Sequence, residues 1–172
     1  MSLSRVRSLA ILGALVLIAV VVVTWTLLSD KQSSQADGGH SCPPGAKPAN
    51  TTMPKEQAVK LNVYNSTDRA GLAGSTATKL KAVGFHVVST KQDPTGTVVK
   101  GSAQIRFGRK AVGAAQLMRA YVPGATMQYD PGRETDTVDL VLGEKFEDIR
   151  GPSDVKEAEV TLGDPTPPPG TC

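Results

Sequence analysis

Four basic side chains, Arg69, Arg106, Arg109 and Lys110, are the residues of this chain best equipped to bind another molecule. Arg69 follows one predicted strand and the other three surround the end of another, so both groups fall at strand-to-helix turns. Guanidinium groups and helix N-termini both favour anions, which makes phosphate or carboxylate groups the chemically reasonable targets. The plainer reading is that these residues serve solubility and pair with acids elsewhere in the chain. The arithmetic leaves both open: residues 60–128 hold ten Lys or Arg against two Asp, and residues 129–172 hold four against eleven Asp or Glu.

Covalent chemistry finds little support. No Gly-x-Ser-x-Gly occurs, and no histidine stands in a context that would activate Ser66 or Ser75. The carboxylates Asp130, Glu134, Asp136 and Asp139 cluster at a turn and the following strand, but their spacing is not that of a calcium loop, so they are expected to be exposed hairpin charges. With His40 and His86 as the only histidines beside Cys42 and Cys172, no metal site is expected, and no cofactor is implied. His86 falls in a predicted strand as a structural residue.

The segment before these residues decides where they work. Residues 8–29 carry no charge, and at 1.5 Å per residue they span roughly 33 Å, the thickness of a bilayer's apolar core. The run is too long for the apolar region of a cleaved leader and has no small-x-small site after it. Residues 1–7 carry Arg5 and Arg7 and no acid, which places the N-terminus in the cytoplasm and the remainder across the membrane. Residues 30–58, rich in Ser, Gln, Gly, Pro and Thr, are expected to be a disordered linker. Outside the cytoplasm two cysteines favour one bridge between Cys42 and Cys172, with intermolecular bridges and reactive thiols as alternatives. Gly71-Leu72-Ala73-Gly74 has the Gly-x-x-Gly form of an RNA-binding loop, but four residues carry little weight and an exported location argues against nucleic acid as a partner.

The elements that must position the basic residues lie in 59–150. Val59, Leu61 and Val63 alternate with polar residues as in a half-buried strand. A polar turn with Thr67 or Asp68 as N-cap leads to a helix whose inward face is Leu72, Ala73, Thr76, Ala77, Leu80 and Val83. Gly71 and Gly74 suggest close packing at its start, and Gly84 ends it before a second strand from Phe85. The pattern recurs as a strand over 103–107, a helix over 109–122 with Ala111, Ala114, Ala115, Met118 and Val122 inward, and a strand over 126–129. A fifth strand over 137–142 completes an edge hairpin. The order β-α-β-β-α-β-β predicts an α+β fold, a small mixed sheet with two helices on one face, preceded by one transmembrane helix. The uncovered face is where an extended ligand or partner would lie. Residues 151–172 read as an acidic, Pro-rich tail without core residues.

Asn65, the Gly71-Leu72-Ala73 start of the helix, its Gly84-Phe85 end, IRFG at 105–108 and VDLVLGEKF at 138–146 with Gly143 together resemble the LytR C-terminal domain. The resemblance covers about 90 residues, nearly all of the predicted folded part. The layout of short start, anchor, Cys-Pro-Pro, single domain and terminal Cys is similar to actinobacterial envelope integrity proteins of the Cei type and to related single-domain proteins linked to vesicle release and virulence. This resemblance implies a non-enzymatic role in maintaining the envelope, with the membrane, cell-wall glycopolymer or envelope-assembly proteins as partners. The phosphotransferase domain of larger relatives has no counterpart, so its catalytic residues are not carried over. A small wall-modifying enzyme and a membrane regulator of envelope homeostasis are the alternatives.

Overall fold

The computed structural model describes residues 42–172. The membrane span expected over 8–29 and the first part of the linker lie outside the described residues. Among the described residues no helix is long and apolar enough to cross a membrane.

The chain forms β1 (Lys60–Asn65), α1 (Leu72–Ala82), β2 (His86–Gln92), β3 (Ala103–Phe107), α2 (Val112–Tyr121), β4 (Ala125–Tyr129), β5 (Val138–Leu142) and α3 (Pro152–Leu162). The strands join in one sheet of order β2-β1-β5-β3-β4. β1 runs parallel to β2, and β3 runs parallel to β4, so the two strand-helix-strand units expected from the sequence are both present. The expected edge hairpin is not. β5 inserts at the centre of the sheet, parallel to β1 and antiparallel to β3, and does not pair with β4. The physical reason is burial: all five residues of Val-Asp-Leu-Val-Leu are buried, the state of a central strand rather than an edge.

Strand alternation sorts the side chains into two faces. Val63, Leu140 and Ile105 stand opposite one another in adjacent strands and are fully buried. They meet Leu72, Ala77 and Leu80 from α1, Ala115 and Met118 from α2 and Val122 just after it in a single core, so both helices cover the same face. Leu72, Ala73, Thr76, Ala77 and Leu80 are the buried residues of α1, as its spacing predicts. Nearly every residue of α2 is buried, because α3 covers its outer side with Val155 and Ala158. Arg150 donates to the Ala120 carbonyl at 2.7 Å and closes the end of α2.

Both flanks depart from expectation. The residues after 151 are not a coreless tail: α3 starts at Pro152, where a proline suits the first helical turn, and it buries Val155 at 3% exposure. Residues 42–58 pack rather than drift, with Ala49 and Met53 against the core. The Asn50 carbonyl accepts from the Gly113 N–H at 3.0 Å, and a Cβ on Gly113 would collide with the Thr52 carbonyl. Cys42 and Cys172 are joined as a disulfide with Cα atoms 5.6 Å apart. Beside it, Cys172 donates to the Lys47 carbonyl at 3.1 Å and accepts from Ala49 at 2.8 Å, so the two ends of the described chain pair like strands.

Candidate functional site

The uncovered face of the sheet carries two rows of side chains set by strand register. One row runs Ser89, Asn62, Asp139, Arg106 and Gln128; the next runs Lys91, Tyr64, Val141, Gln104 and Thr126. On this polar floor lies an open groove of about 620 Å³, within the range of about 300–1,000 Å³ common for small-molecule sites. Its floor is Gln104, Arg106, Gln128 and Asp139, and its walls are Thr97 from the β2–β3 loop and Tyr129, Asp130, Pro131 and Arg133 at the end of β4 and in the turn after it.

Two arginine–carboxylate pairs hold the groove in shape. Arg106 donates from Nη1 and Nη2 to the two carboxylate oxygens of Asp93 at 2.8 and 3.0 Å, and from Nε to Gln104 at 2.8 Å. The fork-to-fork geometry fixes both planes, and it draws the β2–β3 loop across β1 and β5 to reach β3. Burial pushes the Asp93 carboxyl up, but the hydrogen bonds from Arg106 and Thr95 outweigh it and keep the group below its ordinary value. Arg133 donates to Asp139 at 2.7 Å, and Asn62 donates to the other oxygen of Asp139 at 2.8 Å. Tyr64 lies within the field of both pairs; burial, then the Asp139 charge, raises its hydroxyl pKa. Among the described residues no buried side-chain nitrogen or oxygen is left without a partner. In contrast, the Gln104 amide nitrogen, the Gln128 amide and the Thr97 hydroxyl face the groove and make no hydrogen bond to another described residue.

The basic residues singled out from the sequence do not converge. Because β1 and β3 are antiparallel, the turns that follow them lie at opposite ends of the sheet. Arg69 donates to the Phe146 carbonyl at 2.7 Å and ties its turn to the chain after β5. Arg106 belongs to the middle of the open face, not to a turn. Arg109 bonds Glu134 at 2.6 Å and the Pro48 carbonyl at 3.0 Å, and Lys110 stands 3.9 Å from the same carboxylate. Glu134 is thereby held below its ordinary pKa, first by the Arg109 hydrogen bond and then by Lys47. Lys60–Asp136, Lys79–Asp148 and Lys100–Glu144 complete the pattern, in which bases of 60–128 meet acids of 129–148. Asp139 is not an exposed hairpin charge, being 9% exposed in the central strand.

The motif residues build the scaffold. Asn65 accepts from the Thr67 N–H and hydroxyl at 3.0 and 2.8 Å and donates to the Arg69 carbonyl at 2.8 Å, so one side chain shapes the whole turn. The helix N-cap is Gly71 at φ 74°, without a side-chain cap bond, instead of Thr67 or Asp68. That left-handed backbone is open to glycine at little cost. Gly74 faces open space, so no close packing explains it. Leu72 and Ala73 enter the core, and Phe85, just after Gly84, packs edge-on to Tyr121 with ring centroids 4.8 Å apart. A Cβ on Gly143 would strike the carbonyls of Val99 and Gly101, which hold the β2–β3 loop in place.

These features define the class: an α+β domain whose two helices cover one sheet face while charged and amide side chains occupy the other. The family model described as LytR cell envelope-related transcriptional attenuator, LytR_C, matches residues 58–146, and the chain belongs to this family. It is similar to the "Cell envelope integrity protein Cei" of Mycobacterium tuberculosis, with 29% identity over 164 residues, covering 85% of this chain and 76% of the relative. The solved soluble domain of a conserved hypothetical secreted protein from Mycobacterium marinum superimposes with a TM-score of 0.55 at 30% identity, covering 72% of this chain and 82% of that one.

Proposed function

We propose that this protein is a membrane-anchored, extracytoplasmic and non-enzymatic binding module that supports integrity of the cell envelope. It would hold a wall glycopolymer or a component of the wall-assembly machinery against the open face of its sheet. The observation that carries this reading is the preformed groove: polar floor, two braced walls and unspent hydrogen-bonding groups on the one sheet face that no helix among the described residues covers. A role in the envelope comes from the similarity to the M. tuberculosis protein named for it, and the anchor from the uncharged residues 8–29. The non-enzymatic reading is supported by the state of the two best-placed carboxylates. Asp93 and Asp139 each accept from a guanidinium and from a second donor, which leaves neither poised to take a proton from a substrate.

The test is in-cell photo-crosslinking from Thr97 and Gln128 in the groove, with Lys81 on α1 as the control. Crosslinks to one wall or assembly component from the groove positions, absent from Lys81, are the expected result. Equal labelling from all three positions, or labelling from none, refutes the reading.

A further inference from the structure

The charge of the groove narrows what it can hold. Its cations are Arg106 and Arg133, and its anions are Asp93, Asp139 and Asp130. Each guanidinium already faces a carboxylate at hydrogen-bond distance, and Asp130 leaves a surplus of negative charge at the rim. A polyanion entering here would have to displace an internal carboxylate from its arginine and would meet Asp130 as well. An apolar partner finds only a small surface of its own kind, Tyr129 and Pro131 at one wall, because Val141, the aliphatic side chain of the two rows, is fully buried.

What the groove does offer is a set of neutral donors and acceptors. The Gln104 nitrogen, both ends of the Gln128 amide, and the Thr97 hydroxyl have no partner among the described residues. They project from two adjacent strands and the facing loop. Gln104 accepts from the Arg106 guanidinium, so its amide nitrogen is aimed rather than free to rotate. One amide held by an ion-paired guanidinium, with a second amide and a hydroxyl beside it, suits a ligand dense in hydroxyls, each able to donate and accept.

We infer that the groove between the β2–β3 loop and the 130–133 turn binds a neutral saccharide chain, recognised through Gln104, Gln128 and Thr97 and not through its charge. The inference rests on the binding-module reading above and names the ligand class for that same site. It also reverses the anion preference that the basic residues suggest in the sequence, because Arg106, the one of them in the groove, is already paired with Asp93.

The test is an NMR titration of the full chain, in a detergent without a sugar headgroup. Chitotetraose, cellotetraose and maltotetraose serve as neutral probes, and tetragalacturonate and tripolyphosphate as anionic ones. At least one neutral tetrasaccharide should bind in the millimolar range or tighter, with shifts confined to β3, β4 and residues 95–97 and 130–133. Gln128→Ala and Thr97→Val should each weaken it by roughly two- to tenfold, the worth of one hydrogen bond, while Lys81→Ala leaves it unchanged. Neither groove side chain bonds another described residue, so both variants keep the fold, which the unaltered remainder of the spectrum verifies. The proposal is overturned if no neutral probe binds, if the groove substitutions change nothing, or if an anionic probe occupies the same resonances more tightly. Crosslinking from Thr97 and Gln128 to an envelope protein together with silent titrations removes the saccharide and leaves the binding-module reading standing.

Discussion

Arg106→Met is the substitution that tests the structural account of the groove most directly. The Asp93 side chain is 1% exposed and that of Arg106 16%, so the methionine strands a carboxylate that water can scarcely reach. Its remaining donors are the Thr95 hydroxyl at 2.6 Å and the Thr95 N–H at 3.4 Å. Breaking a buried pair from one side costs about 3–5 kcal/mol; the Thr95 bonds and the partial exposure of the arginine place this case near 3 kcal/mol at neutral pH. The cost should depend on pH with a definite sign. In the native protein the Asp93 pKa is lowered, so its contribution is present above its unfolded value of about 3.9 and lost as pH falls through the folded value. Without Arg106 two of the lowering influences are lost while burial remains, so the folded pKa of Asp93 lies higher than in the native protein. The variant therefore gains less stability than the native protein as Asp93 ionises, and the difference vanishes where the carboxyl is protonated in both. Urea unfolding of the two proteins, followed by circular dichroism from about pH 3 to about pH 8, should therefore show the gap between them closing toward acid. A gap that stays constant with pH, or one below about 1 kcal/mol at neutral pH, would refute the claim that this pair braces the groove.

Three further outcomes follow from the scaffold. Gly113→Ala places a Cβ against the Thr52 carbonyl, so it should cost about 2–3 kcal/mol by forcing backbone to move, and amide exchange at Asn50 and Gly113 should accelerate together. Asn65→Ala removes the three hydrogen bonds that shape the turn after β1 and should lower the unfolding free energy by about 2–3 kcal/mol, measured by urea titration with an unchanged slope. Cys172→Ser opens a loop of sequence separation 130 and should cost about 2–5 kcal/mol. The unaltered chain should run as a monomer on a non-reducing gel, and a disulfide-linked dimer there would contradict the intramolecular bridge.

Part of the open face was legible in advance, because alternation in Leu-Asn-Val-Tyr and Ala-Gln-Ile-Arg-Phe assigns Asn62, Tyr64 and the groove residues Gln104 and Arg106 to the side opposite the core. What alternation does not specify is which strands stand side by side. The short turn after β4 favours a hairpin with β5, yet β5 lies between β1 and β3. The signal was present in Val138-Asp139-Leu140-Val141-Leu142, whose nearly unbroken apolar run suits a strand buried on both faces, and in the single acid within that run, which requires a partner such as Arg133. The helix α3 was hidden by its acidity. Pro152 at its start and Val155, Ala158 and Leu162 at helical spacing were the available signs. Packing of residues 42–58 left a sign only in the cysteine pair, since its backbone hydrogen bonds to Arg109, Gly113 and Cys172 are announced by no side-chain pattern.

The same topology explains why the basic residues mislead when taken alone. Two parallel units related by opposite strand directions send their strand-to-helix turns to opposite ends of the sheet, so Arg69 and Arg109 cannot share a ligand. Each instead meets a group supplied by the last third of the domain: the Phe146 carbonyl for Arg69 and the Glu134 carboxylate for Arg109. The acidic segment around β5 therefore neutralises the first part of the domain wherever it passes, at Lys60, Lys79, Lys100 and Arg109. Exposed pairs of this kind contribute at most about 1 kcal/mol each, so their main consequence is not stability. They cancel the positive field that would otherwise draw polyanions to the surface. Recognition at the open face is then left to the geometry of amide and hydroxyl groups, and that geometry is fixed by the two ion pairs, Arg106–Asp93 and Arg133–Asp139, whose exposure is lowest.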